Sequence, residues 1–304
     1  VNWIRPAVRS AMQVVKGPED VVCGIYPPVT NQIVALRIAE ATGAKLVLDF
    51  RDEYLGLATG VRRRLANRWQ QRFLARADLV SVATDTVGED FVASGLDPAR
   101  LHLTENGYWE APETIPAYTA QEKIRIVYIG AISATQGVDI LARAAQRLMR
   151  DRPSVGERLE IVIYGPDTPH RRATLSGSLP ACVTYGGYLP AQEVGVKLLS
   201  TDVAFLSLSS DRYAYAVPGK LYDYIAHGRP VLASLPQGTA QRLIESQALG
   251  WTTGVGDVAA LAQQLDRVCD PAERSRVHGQ VMAVREQHAA RNHFLNLSRR
   301  LQTL

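Results

Sequence analysis

Short apolar runs, each followed by a stretch of helical spacing, recur through this chain of 304 residues and constrain its fold more than any other feature. The runs fall at 20–26, 45–50, 78–83, 101–103, 124–130, 159–165, 182–185 and 203–206, with others opening at Val231 and near Trp251. Helical spacing fills 2–16, 31–41, 62–76, the stretch from Gly137, 192–199, 239–247 and 258–268, and a long helical tail begins near Pro271. Strands that alternate with helices build a parallel, doubly wound sheet. In such sheets ligands sit beyond the carboxyl ends of the strands, so the residues directly after each apolar run are the ones to inspect. A stretch of little periodicity around Pro112 and Pro116 reads as a linker. It divides the chain into domains at 1–114 and 115–285, with a last helix over 286–304, and each domain is long enough to bury a core.

The most informative exit follows Val203-Ala204-Phe205-Leu206. Pro218 has its φ preset for a helix start, and Gly228 with Pro230 suits a helix end, so the helix between them is short. Its N-terminal N–H groups and dipole favour an anion such as a diphosphate, and Gly219 lets that anion approach the backbone. Lys220, Asp223 and His227 share one face; Leu221 and Ile225 share another that can pack on the sheet. By spacing alone, Lys220 and Asp223 are equally an ordinary pair on an exposed helix.

A lysine after a Pro-Gly turn, an acid three residues on, and then Gly228-Arg229-Pro230-Val231 opening a strand resemble the donor segment of family 4 retaining glycosyltransferases of the GT-B fold. Two glutamates usual in that family fall here on Tyr215 and Asp223, so the similarity is to the subgroup with Pro-Ser-Lys before the acid, found in polysaccharide and lipopolysaccharide assembly. The resemblance covers most of the chain, strongly over 120–255 and loosely over 20–112. It implies an α/β GT-B architecture of two Rossmann-like domains, each a doubly wound parallel sheet, facing a cleft. It also implies that the last helix, through Phe294, Leu297 and Leu301, crosses back to the first domain.

For the site, the resemblance implies donor contacts at Gly130, Gln136, Gly137, Tyr164, Gly165, Tyr188, Leu189, Pro218, Gly219, Lys220, Leu221 and Asp223. The turn after Gly130 usually carries an Arg and a Lys on the diphosphate; here those positions are Ala131 and Gln136, which leaves Lys220 as the main cation. Asp223 would accept from donor hydroxyls, and the departing phosphate would itself take the acceptor proton. Arg51 and Asp52, in an Asp-x-Arg-Asp run at the exit of the 45–50 strand, resemble the same point in the family and complete the expected catalytic set. Their other reading is an ion pair that orients the loop. Asn106-Gly107 resembles the hinge of the cleft.

The implied activity is transfer of a sugar from a nucleotide-diphosphate sugar to a glycan or lipid-linked acceptor hydroxyl in cell-surface glycan synthesis, with retention and without metal or cofactor. Two alternatives stay open: a catalytically silent nucleotide-binding GT-B subunit, and a sugar-nucleotide 2-epimerase. No Gly-x-Gly-x-x-Gly follows a strand, and the six histidines lack paired ligand spacing.

A net charge of +4 is too small to call for nucleic acid, and no apolar run approaches the roughly 20 residues that cross a bilayer. Three scattered cysteines suit a reducing compartment, so the expected location is cytoplasmic. The helix from Arg62 to Arg76 places Arg64, Arg68, Arg72 and Arg76 beside Leu65, Trp69 and Phe73. Such a helix either docks its aromatics on its own domain or lies peripherally on an anionic membrane face. Few strands precede the linker, no Gly-rich turn stands ahead of Val21, and position 1 is Val. The first domain is therefore expected to be incomplete at its start.

Overall fold

Ten apolar runs become ten strands in the computed structural model, which describes residues 2–54, 59–177 and 179–304 and so leaves Val1 outside. The chain forms two units, one of residues 1–106 with 290–304 and the other of residues 107–289.

The first unit holds β1 (Val21–Tyr26), β2 (Lys45–Phe50), β3 (Leu79–Val82) and β4 (Leu101–Leu103), all parallel and in the order β1-β2-β3-β4. β3 is buried along its whole length and β2 after its first residue, as strands covered on both faces must be. β1, at an edge, alternates: Val22 and Gly24 are buried while Val21, Cys23 and Ile25 are exposed. The helix Val29–Thr42 stops where Gly43 adopts φ +79 and donates back to Ala39. The helix Asp85–Ala93, invisible to apolar spacing, is started by Thr84, whose hydroxyl accepts from the Val87 N–H.

The basic helix spans Gly60–Arg76 and is only partly docked. Gln70, Phe73 and Leu74 are buried, Trp69 stacks on Phe73, and Arg72 and Arg76 pair with Glu40 and Asp78. Leu65, placed by the sequence on the docking stripe, is 54% exposed, and Val61 before it is 71% exposed. Among the described residues, no helix is long and apolar enough to cross a membrane.

The second unit holds β5 (Ile124–Ile129), β6 (Leu159–Tyr164), β7 (Val183–Gly187), β8 (Val203–Ser207), β9 (Val231–Ser234) and β10 (Gly250–Thr253). They are parallel in the order β10-β9-β8-β5-β6-β7. The chain builds outward from β5 to β7, then returns to β5's other side at β8. The order therefore reverses between β5 and β8, and a crevice outside the carboxyl ends of those two strands is where such sheets bind ligands.

The long helical tail is broken. The helix Pro271–Val284 gives way to a 3-10 turn, Arg285–His288, and a new helix begins at Ala290–Leu301. Tyr108 fastens that turn: its N–H donates to His288 O at 3.1 Å and its hydroxyl to Arg285 O at 3.1 Å. Arg285 in turn donates to Pro112 O, so 107–112 belong with the second unit and the boundary falls earlier than the proline-rich linker placed it. The last helix packs Phe294, Leu297 and Leu301 on Val47 and Leu79 of the first unit.

Candidate functional site

The helix Gly219–Ala226 starts with Pro218 as its cap residue, in extended conformation just outside the first turn. Leu221, Tyr222, Tyr224, Ile225 and Ala226 are buried against the unit, with the Tyr224 hydroxyl donating to Phe205 O in the middle of β8. Lys220 and His227 are half-buried and Asp223 is exposed, so the polar face read from the spacing is present. A Cβ on Gly219 would meet nothing within 4 Å, and the backbone there is open to approach.

Lys220 reaches across the strand reversal. Its Nζ donates to the hydroxyl of Tyr128, on β5, at 2.9 Å and lies 4.1 Å from the centre of that ring. Burial pushes the ammonium down to about 8, against the pull of Asp223. Among the described residues Tyr128 is its hydrogen-bond partner, and Asp223 acts on it through space. The Asp223 carboxyl is raised, chiefly because the surrounding protein partly desolvates it although the residue reaches solvent, with His227 and Lys220 opposing.

Gly130 follows β5 with φ +145, in the region that favours glycine, and the Lys220 Nζ occupies the space where its Cβ would stand. Gly165 follows β6, and a Cβ there would come 2.5 Å from Gly130 O. These two glycines let the exits of neighbouring strands pack against each other. The ladder continues through them, with Gly130 N–H donating to Tyr164 O and Gly165 N–H to Gly187 O. The turn between Gly130 and Gly137, itself at φ +51, is held to the end of β8 by Ser207 donating to Gln136 O and Ser209 to Ala134 O. The Gln136 side chain accepts from Ser133 and so is turned onto its own loop. Tyr164 lies half-buried under the Lys197 ammonium at 5.4 Å, Leu189 is half-buried, and Tyr188 is 69% exposed at the exit of β7.

Tyr128, Ser207, Ser209 and Lys197 escaped the sequence reading. Tyr128 sits inside an apolar strand, and the serines look like ordinary strand-exit residues.

Residues 123–270 match the glycosyl transferases group 1 family, and residues 3–107 match the glycosyl transferase 4-like domain. Each unit therefore matches a glycosyltransferase domain over most of its length. A probable glycosyltransferase, WbjE of Pseudomonas aeruginosa, is 33% identical over 91 residues, a match that covers 30% of this chain and 23% of that protein. The structure of Anabaena Alr3699/HepE in complex with UDP is similar at a TM-score of 0.76 and 14% identity, covering 100% of this chain and 83% of that one. An α,α-trehalose-phosphate synthase (UDP-forming) from Burkholderia vietnamiensis is similar at 0.72 and 12% identity, covering 99% and 79%. At these identities the likeness is one of fold, and that fold is GT-B.

In the 4-like domain, Arg51 and Asp52 do not share one environment. The Arg51 guanidinium donates to Thr104 O at 2.7 Å and to the Asn106 side chain, contacts Asp49 at 3.4 Å, and lies over the Phe294 ring at 5.4 Å. The Ser81 hydroxyl donates to the Asp49 carboxylate at 2.8 Å and accepts from the Thr104 hydroxyl at 2.9 Å, which completes a polar network across the carboxyl ends of β2, β3 and β4. Asp52 is exposed and caps the next N–H, that of Glu53. Arg51 thus holds the Asn106 side chain and the Thr104 backbone at the end of its domain, while Asp52 remains open to solvent.

Proposed function

We propose that this chain transfers a sugar from a nucleotide-diphosphate sugar to an acceptor hydroxyl, with retention, in the assembly of a cell-surface glycan. The observation that carries this reading is the Lys220 ammonium, lodged at the strand reversal with one N–H on Tyr128 and, among the described residues, no carboxylate bonded to it. A lysine has three N–H donors. Two are left for an anion beside the open N-terminus at Gly219, and together these favour charge as it develops on a leaving diphosphate. That counter-charge comes from the protein, so the reading needs no divalent cation there. Asp223, exposed one turn along, is placed to accept from donor hydroxyls. Gly130 and Gly165 let the strand exits and the Lys220 ammonium pack closely, Gly219 leaves the backbone open to the donor, and Tyr164, Tyr188 and Leu189 line the exits where the base would lie. UDP in the Anabaena Alr3699/HepE complex supports a nucleotide donor.

The acceptor side belongs to the first unit, with Asp52 as the exposed acid there and Arg51 as the residue that holds its loop. A lipid-linked acceptor would be met at the membrane face. The exposed start of the helix Gly60–Arg76, where Val61 and Leu65 stand among Arg62, Arg63, Arg64 and Arg68, is the peripheral contact proposed for it, on the cytoplasmic side.

Titration of the purified protein with UDP, GDP and their sugars by calorimetry tests the site. Lys220→Ala and Asp223→Ala are expected to weaken binding about tenfold or more each while the fold persists, because neither side chain belongs to the buried core. Wild-type affinity in both variants would overturn the site. One observation favours a second reading, a nucleotide-binding subunit without activity: Ala131 offers no charge and the Gln136 side chain is engaged by Ser133. Tight nucleotide binding with no transfer from radiolabelled donor to lipid-linked acceptors would select it.

A further inference from the structure

Tyr128 belongs to none of the motifs that mark the site, yet it shapes it. Fully buried near the end of β5, its hydroxyl donates to Ala131 O at 2.6 Å, inside the turn expected to hold the diphosphate. The same oxygen accepts from Lys220 Nζ, and the ring presents its face to the ammonium at 4.1 Å. Beside the phenol, an added Cβ on Gly130 would stand 2.7 Å from Nζ, 3.2 Å from Cε and 3.9 Å from the Tyr128 hydroxyl. The lysine end therefore lies against both the phenol and the bare backbone of Gly130.

We infer that Tyr128 is a positioning residue for the donor diphosphate, one that holds the Lys220 ammonium over Gly130 and ties it to the turn at Ala131. This rests on Lys220 being the donor-side cation. The chemistry of the acceptor matters. A carboxylate in place of the phenol would neutralise the ammonium and compete with the diphosphate for it, whereas a phenol accepts one hydrogen bond and leaves the positive charge available. Burial raises the Tyr128 hydroxyl far above neutrality, so it stays uncharged. The bond to Ala131 O fixes where its lone pair points, and through it a freely rotating lysine end acquires one place. Binding then need not order it.

The test is a cycle of Tyr128→Phe, Lys220→Ala and the double variant, each titrated with UDP or GDP, whichever the wild type binds, from about pH 6 to 10. Lys220 meets Tyr128 from β5 and feels Asp223 from its own helix, while Tyr224 acts on Tyr128 and Asp223, and His227 on Asp223. The two phenols are raised by burial and His227 is lowered, so of these groups the ammonium is the one that changes charge near pH 8. Tyr128→Phe keeps the ring and removes the acceptor. Its affinity should fall about threefold to tenfold, the loss of one hydrogen bond. The pH above which affinity declines should also move down, because the ammonium has lost a partner. In the Lys220→Ala background the same change should cost nothing further.

A folded Tyr128→Phe with wild-type affinity and an unmoved pH dependence overturns the inference, as do additive losses in the double variant. If Lys220→Ala itself binds like the wild type, the donor-site reading fails; if Lys220→Ala weakens binding and Tyr128→Phe does not, this inference alone fails. Should Tyr128→Phe not fold, Lys220→Met reads the coupling from the other side. The ring carbon-13 resonances of Tyr128 must then shift on that substitution and on nucleotide binding to the wild type, and unmoved resonances overturn the proposal.

Discussion

The Nζ of Lys220 stands 2.7 Å from the position a Cβ on Gly130 would take. Gly130 also holds φ +145, where a side chain strains the backbone whatever the space around it. Gly130→Ala is therefore expected to do two things at once. The strain lowers stability by about 1 to 3 kcal/mol, seen as a lower midpoint in urea. The new methyl displaces the ammonium, so nucleotide affinity in calorimetry falls about tenfold or more, as it would without that charged hydrogen bond. A variant that binds nucleotide as the wild type does would show that this close contact is not needed.

Lys220→Met should make the nucleotide-free protein more stable while weakening nucleotide binding about tenfold or more. The folded ammonium titrates at about 8 against an ordinary 10.5, chiefly because of burial. At pH 7 both folded and unfolded chains carry the proton, and the folded one holds the charge at a cost that disappears only as pH rises from about 8 towards 10.5. The gain from Met is on the order of 1 to 2 kcal/mol at pH 7, discounted for a side chain still partly in water. Thermal melting at pH 7 and at about pH 10 checks it: Met should raise Tm at the lower pH and much less at the higher.

His278 should make the second unit acid-sensitive. Its ring stacks on Tyr118 at 4.8 Å, and its Nε2 accepts from Arg229 at 3.3 Å, which requires that nitrogen to be unprotonated. Burial, then the Arg229 charge, pushes the imidazole down from 6.5 to about 4. The unfolded chain takes up a proton near 6.5 and the folded one does not until about 4, so stability falls as pH drops through that window. The loss is on the order of 2 to 3 kcal/mol. His278→Gln, which keeps an acceptor for Arg229 and cannot titrate, should show a flatter dependence of its urea midpoint between pH 6.5 and 4; an equal slope would place the acid sensitivity elsewhere.

The exposed start of the basic helix should bind anionic lipid. Vesicles with phosphatidylglycerol should retain the protein at low salt and release it as salt screens the arginines. Arg64→Glu with Arg68→Glu, both exposed, should reduce retention about tenfold or more, at roughly 1 kcal/mol for each basic residue lost. No retention of the wild type at low salt would leave these arginines as a solvated surface.

Much of this architecture was legible in the residues. The runs at 45–50 and 101–103 became strands with the same ends, and the helix 258–268 kept both of its own, capped by Asp257. The polar stripe of Lys220, Asp223 and His227 followed from spacing because a short helix with one apolar face has one way to dock. The helix Asp85–Ala93 was not legible from apolar spacing, since Val87 and Phe91 are its two large apolar side chains facing inward; its Thr84 cap was the readable sign. The basic stripe misplaced Leu65 because periodicity gives a face and not how much of its length the domain covers.

What the sequence by itself determined was therefore local: where strands and helices lie, which face of each is apolar, and that the helix after Pro218 starts with an open backbone at Gly219. Those are properties of a few neighbouring residues, set by backbone sterics and by the periods of the helix and the strand. Only the tertiary structure decided that β8 returns to the side of β5, because strand order is chosen by which buried faces pack and not by any short stretch. That return brings Tyr128 to Lys220 across 92 residues and Ser207 to Gln136 across 71. It also gives a tyrosine that reads as core its place beside the Lys220 ammonium, since a phenol buried in a strand and one that holds an ammonium have the same sequence and differ only in what is packed against them.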